Sequence, residues 1–307
     1  MDGVEYGASS RRRRALLVAG ATIVAVAVLA GVGFLIFKPS SAELEANKVG
    51  LSTAAARPDQ VQLPFRLGDP DGVAVDSMGT VYVADPGNKR VLKLPVGAST
   101  ATALPITAPL SPDGVAVDSH DAVYVIDGMG KRILKLSADL RTPTELAFTG
   151  LADPHGLAID GRGTVYVVDH VNNNVLQLPA GAEAPSELSF TGLNRPYDVA
   201  VDSAGTVYVS DSGNNRVAAL AEGATTPVYL PLTGLNFPTG VTVDRDGNIY
   251  VGDLNNNRVL KLAAGSNIQT TLPFSGLSGP TDVAVDDQRA VYVIDFKDRV
   301  LKLMATG

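Results

Sequence analysis

Proline recurs at Pro70, Pro112, Pro154, Pro196, Pro238 and Pro280, always 42 residues apart. Two aspartate series keep the same step: Asp76, Asp118, Asp160, Asp202, Asp244 and Asp286, then Asp85, Asp127, Asp169, Asp211, Asp253 and Asp295. A fixed period of this size requires an array of similar units, a solenoid or a propeller. Within each unit, short alternating apolar runs such as GVAVD, VYVAD, RVLKL and TELAFTGL are bounded by Gly, Asn, Asp or Pro, which is the pattern of four strands. The link DSMGT, matched by DGRGT, DSAGT and DRDGN, reads as a tight hairpin with Gly where a positive φ is needed. A four-stranded sheet cannot cover both of its faces alone, but sheets stacked around an axis cover one another. The pattern therefore predicts an all-β fold, a six-bladed β-propeller with four-stranded blades.

Side-chain sizes order the strands. The middle of the first run is small in every unit (Ala74, Ala116, Ala158, Ala200, Thr242, Ala284), as a crowded innermost strand requires. Tyr82, Tyr124, Tyr166, Tyr208, Tyr250 and Tyr292 sit among valines and isoleucine in the second run and read as core plates. Pro105, Pro231 and Pro273 place the fourth run on the outer edge, because proline has no ladder donor. The sixth unit ends at RVLKLMATG, after its third strand, while VQLPFRL at 61–67 precedes the first unit and matches QTTLPFSGL at 269–277. The segment 61–67 is thus expected to supply the outer strand of the last blade and close the ring.

Before the repeats, ALLVAGATIVAVAVLAGVGFLIF at 15–37 carries no charge over 23 residues. A helix of that length reaches roughly 34 Å, enough to span a bilayer core of about 30 Å. Arg11 to Arg14 stand on one side and Lys38 on the other, so residues 1–14 are expected to be a cytoplasmic tail, 15–37 a single transmembrane helix, 38–59 an extracellular stalk, and 60–307 an exported propeller at the cell membrane. A cleaved signal peptide ending near Ser40-Ser41-Ala42 is the competing reading. Small residues at Ala21, Ala25, Ala27 and Gly31 would allow the helix to form a homodimer. Of 25 basic and 32 acidic residues, seven and five fall in the first 59, leaving the propeller 18 basic against 27 acidic. So acidic a surface argues against a nucleic-acid partner. With no cysteine, disulfides, thiolate metal sites and cysteine nucleophiles are absent.

The runs VYVADPGNKRVLKL, VYVSDSGNNRVAAL and IYVGDLNNNRVLKL share Tyr-Val-x-Asp, an Asn three residues after the Asp and an Arg five after it. They resemble the NHL repeat over residues 60–307. The whole order of span, stalk and propeller resembles the extracellular sensor domain of mycobacterial receptor serine/threonine kinases. Gly130 stands where Asn is usual, Asn174 where Arg is usual, and one residue is deleted before Arg299. Only 14 residues precede the span, and no Gly-rich phosphate loop, catalytic-loop Asp or Asp-Phe-Gly is present, so phosphorylation is not expected of this chain. Related propellers also include lactonases, whose calcium sites use an axial Glu, and a zinc lyase with several histidines. Here Glu145, Glu183, Glu187 and Glu222 fall in or beside outer strands, and among the histidines only His155 and His170 can share one face, with Asp169 as a further candidate. No catalytic residue, metal or cofactor is therefore assigned, and an exported metal-dependent hydrolase or lyase and a surface scaffold or adhesin stay as alternatives to a sensor.

The links from strand four to the next strand one and from strand two to strand three must emerge on one face. Positions that recur in register answer to the fold, whereas those that vary within so regular a repeat are free for another use. The residue after the repeated Pro is Asp71, Asp113, His155, Tyr197, Thr239 and Thr281. With Arg195, Asp198, Phe237 and Asp282 these are expected to form a mixed polar and aromatic cup for an extracellular glycan, peptide or protein. The aspartate series are expected to cap turns and to pair with Arg90, Arg132, Arg216, Arg258 and Arg299.

Overall fold

The computed structural model describes residues 60–106, 110–139 and 142–304. The expected tail, span and stalk at 1–14, 15–37 and 38–59 lie outside the described residues, and among the described residues no helix is long and apolar enough to cross a membrane. The described chain forms six antiparallel sheets of four strands each, in sequence order around a ring. In blade 1 the strands run from the axis outward as Gly72–Val75, Val81–Asp85, Arg90–Leu94 and Thr102–Ala103.

Blade 6 is closed by the N-terminal segment. Its strands Pro280–Val285, Val291–Asp295 and Arg299–Leu303 take Gln60–Gln62 as the outer partner, with Gln60 facing Leu303 and Gln62 facing Leu301. The strand is shorter than the sequence suggested. It gives way to a three-residue turn centred on Pro64, in which Phe65 donates to the carbonyl of Leu63 at 2.8 Å. Pro105, Pro231 and Pro273 occupy the centres of the same turns, just beyond the outer strands rather than inside them. Each turn drops an apolar pair into the next seam: Leu63 and Phe65 between blades 6 and 1, Leu146 and Phe148 between 2 and 3, Leu272 and Phe274 between 5 and 6.

The core is these six seams. Val83, Val125, Val167, Val209, Val251 and Val293 are fully buried, each contributing about 1.5–3 kcal/mol. The tyrosines of the second strands fill the seams, and every one donates its hydroxyl to the aspartate six residues earlier, from Tyr292 to Asp286 at 2.8 Å to Tyr166 to Asp160 at 3.2 Å. The other oxygen of that aspartate accepts two backbone N–H groups of the hairpin, as at Met78 and Thr80 for Asp76.

The second aspartate series is buried at the other end of the strand. Asp253 accepts from Arg258 Nε at 2.7 Å, from Asn256 Nδ2 at 2.8 Å and from the backbone N–H of Asn236 at 2.7 Å. It thereby ties the second strand to the loop that enters its own blade. The departures are absorbed locally: the Gly130 N–H replaces the missing Asn at Asp127, Asn174 turns to Glu187, and Arg299 still reaches Asp295 despite the deletion. Both series behave as expected of turn caps. Deleting residues 60–62 would unpair the outer edge of blade 6. We expect it to lower unfolding free energy by about 2–4 kcal/mol, at roughly 1 kcal/mol per lost ladder bond, with the urea midpoint as the readout.

Candidate functional site

The innermost strands line a central channel of about 260 Å³. Their last residues, Val75, Val117, Ile159, Val201, Val243 and Val285, make one end apolar. Their first residues make the other end polar, and it is here that the repeat loses its regularity. Blades 2 to 6 each carry a bulge just after the leading proline, for example between Pro154 and Leu157. A bulge re-aims the side chains it contains.

Of the ten residues expected at the cup, Asp71, Asp113, His155, Tyr197, Asp198, Thr281 and Asp282 line the channel. Tyr197 of blade 4 reaches across the ring and donates its hydroxyl to Asp71 Oδ1 of the opposite blade 1 at 2.8 Å. The ring of His155 lies 4.8 Å from that of Tyr197, and its Nδ1 is 3.9 Å from Asp71 Oδ2. His155 Nε2 faces Asp153 Oδ2 at 3.5 Å. Beneath this layer Asp198 accepts the N–H of Val241 at 2.8 Å, and Asp282 accepts that of Val73 at 2.7 Å, so each carboxylate bridges to the next blade.

Thr239, Arg195 and Phe237 are placed elsewhere. Thr239 is fully buried and donates to the carbonyl of Pro280 at 2.8 Å. Arg195 and Phe237 sit on rim loops with φ of 51° and 56°, their N–H groups held by Asn173 and Asn215 of the preceding blade, and the guanidinium stacks 5.4 Å from the phenyl ring. His170 and Asp153 join the mouth from the rim. His170 Nδ1 is 3.0 Å from the carbonyl of Pro196, and its ring is 5.1 Å from that of His155. Asp153 was not singled out in the sequence; its signal was only that it precedes the proline of the unit bearing His155. Asp169 is fully buried and holds the N–H groups of Ala152 and Asp153 and the Asn172 amide. Among the described residues no three His, Asp or Glu side chains are arranged to hold a metal ion.

Burial dominates the electrostatics. It pushes Asp113 up to about 7, with the neighbouring Asp71 charge adding to the effect. Asp71 is also raised by burial, although His155 and the Tyr197 hydroxyl oppose the shift. Burial raises the coupled pair Asp198 and Asp282 as well. His170 is lowered by burial, and the Tyr197 hydroxyl is driven well above its ordinary value by burial and by Asp71. At neutral pH the mouth is therefore a cluster of reluctant carboxylates beside imidazole and phenol rings.

The NHL repeat matches residues 67–94, 193–220 and 235–262. The protein is a six-bladed propeller with NHL repeats. A stretch of 103 residues in this propeller-bearing chain is 44% identical to the serine/threonine-protein kinase PknD of Mycobacterium tuberculosis, covering 32% of the chain and 14% of the kinase. The NHL propeller resembles the sensor domain of that kinase. Among solved structures it superposes on the gluconolactonase XC5397 of Xanthomonas campestris with a TM-score of 0.69 at 17% identity, covering 83% of this chain and 93% of that one. It superposes on virginiamycin B lyase from Staphylococcus aureus at 0.61 and 12%, covering 81% and 99%. For a chain of the nidogen/laminin complex the values are 0.62 and 22%, covering 70% and 84%. At these identities the likeness to the solved structures is one of fold.

The raised carboxyls make stability fall with pH. A group lifted from 3.8 to about 7 favours the folded state in its protonated form, and that contribution is lost as pH rises through the same window. Asp113→Asn removes one such group. We expect its melting temperature to drop less than the parent's between pH 5 and pH 8 and to exceed the parent's by about 3 °C at pH 8, read by circular dichroism.

Proposed function

We propose that this chain is a non-catalytic, membrane-anchored binding propeller, comparable to the sensor half of a receptor serine/threonine kinase. It engages an envelope component, peptide or partner protein through the polar end of its channel. The observation that carries this reading is the gathering of Asp71, Asp113, His155 and Tyr197 from four consecutive blades at the positions that break the repeat. Polar residues that obey the repeat are absorbed in the tyrosine and arginine hydrogen bonds that hold the blades. The resemblance to PknD and the uncharged stretch at 15–37 support an exported propeller, with any signal passed to a separate intracellular protein.

A metal-dependent lyase or hydrolase is the second reading, favoured by the adjacency of the His155 and His170 rings. Against it, His170 already faces the Pro196 carbonyl and Arg195. Stoichiometric zinc or calcium in the purified chain would favour catalysis, and a metal-free, fully folded chain would end that reading.

Two measurements test the proposal. The full chain is expected in the membrane fraction, and deletion of 15–37 is expected to release it. Screening the detergent-solubilised chain against glycans, peptides and envelope extract should give a ligand whose binding falls at least tenfold in the double variant His155→Ala, Tyr197→Ala, on the basis of about 1.5–3 kcal/mol for a hydrogen bond to a charged group. Binding indifferent to that change places the site elsewhere.

A further inference from the structure

The channel mouth contains acceptors without donors. Asp71 spends Oδ1 on Tyr197, but Oδ2 has only His155 Nδ1 at 3.9 Å, beyond hydrogen-bond reach. The carboxylate of Asp113 accepts no hydrogen bond among the described residues. His155 Nδ1 is buried with no partner, and its Nε2 is the nitrogen turned toward a carboxylate, that of Asp153. The ring thus offers Nδ1 as a lone pair when Nε2 carries the proton. On the other flank of Asp71, Thr281 lines the channel at 5% exposure, and its Oγ1 is likewise unpartnered. Its counterpart Thr239 shows the ordinary fate of this hydroxyl, a bond to the carbonyl of the next blade. Natural structures leave few buried polar atoms unsatisfied. Two in one channel, beside two carboxyls on adjacent blades that have no arginine or lysine partner among the described residues, describe a site open to a donor.

We propose that the channel mouth binds a primary ammonium group, whose three N–H donors are taken by Asp71 Oδ2, the Asp113 carboxylate and His155 Nδ1. This inference rests on the cup being the ligand site and names the chemistry of that ligand. Three acceptors around one mouth match in number the three donors of an alkylammonium, which holds its partners farther apart than a metal ion does. The rings of His155 and Tyr197, 4.8 Å apart, wall the site with polarisable faces of the kind that attract cations. Thr281 adds a hydroxyl that can turn toward the rest of the ligand. A channel of about 260 Å³ admits an aliphatic amine or a lysine side chain and excludes a folded partner, so a protein ligand would enter by one extended side chain or by its amino terminus. A divalent metal is the weaker fit, because no three acidic or imidazole groups converge at metal-ligand geometry among the described residues. The cation would also offset the burial that pushes Asp113 upward.

The test is calorimetric titration of the full chain in detergent with four probes: 1,5-diaminopentane, the peptide acetyl-Gly-Lys-Gly-amide, the same peptide acetylated on its lysine, and calcium chloride. Binding of one diaminopentane or one lysine peptide per chain, with none for the acetylated peptide, is expected. A stronger response to the free diamine assigns a small-molecule source, and a stronger response to the peptide assigns a polypeptide one. Asp113→Asn should weaken the amine about tenfold or more, while Asp246→Asn, at the opposite end of the molecule, should not. Because Asp113→Asn removes a half-buried carboxyl that accepts no hydrogen bond among the described residues, its melting curve will show that it folds. Amine binding that survives Asp113→Asn unchanged, or calcium binding without amine binding, overturns the proposal. Absence of amine binding by a folded parent also overturns it. If an envelope ligand is nevertheless lost in the His155→Ala, Tyr197→Ala variant, the cup reading stands and only the ammonium assignment fails.

Discussion

Each sheet in this protein is apolar on both faces, and that single constraint drives the architecture. A blade standing alone would leave one seam of valines, leucines and a tyrosine in water, so every blade needs two neighbours. A linear stack would still expose two terminal faces. Only a closed ring removes them, and Gln60–Gln62 closes it by pairing with Arg299–Leu303 of the last blade. The apolar pair that follows, Leu63 and Phe65, then fills the seam that would otherwise mark the join. Closure and core completion are the same event, which is why the ring has no weak joint between its first and last units.

The polar residues of the repeat serve this packing rather than oppose it. A buried carboxylate is costly unless its lone pairs are satisfied. The aspartates of the second series meet that condition with arginine, asparagine and a backbone N–H, and they do so identically wherever the sequence allows. Surface ion pairs contribute little. These carboxylates, however, are almost fully buried and also fix the loop entering each blade. Asp71, Asp113, Asp198 and Asp282 lack the arginine partner. They remain destabilising when charged, because burial raises all four.

Much of this was legible in the sequence because the fold is set by periodicity. The count of blades, the small inner position, the tyrosine plates, the shared polar face and the closing segment all follow from spacing and side-chain size. The details that escaped depend on contacts between neighbouring blades. An expected cup of ten residues assumed that the residue after each repeated proline points to the axis. Blades 5 and 6 both carry a bulge after that proline, yet Thr239 bonds to the carbonyl of Pro280 in the next blade while Thr281, in the equivalent place, faces the channel. Arg195 and Phe237 precede their prolines in left-handed backbone, held by asparagines of the neighbouring loops, and their side chains pair with each other on the rim. Nothing in the letters distinguishes these outcomes, because the deciding contact comes from the next blade.

The layer just below the mouth shows how tightly geometry limits the chemistry. It reads Gly72, Gly114, Gly156, Asp198, Gly240 and Asp282 around the ring. A Cβ on Gly156 would come within 2.2 Å of Asp198 Oδ1, and one on Gly240 within 2.6 Å of the Asp282 backbone. Backbone crowding between neighbouring inner strands thus calls for glycine here, with or without an aspartate in the next blade, as at Gly114, where a Cβ would come within 2.5 Å of the His155 carbonyl oxygen. The same crowding explains why each of the two acids reaches forward to the N–H of the following blade, where glycine in the same layer leaves space. The protein carries two such acids, on blades 4 and 6. The glycines of this layer stand on blades 1, 2, 3 and 5, the first three next to Asp71, Asp113 and His155 in the chain.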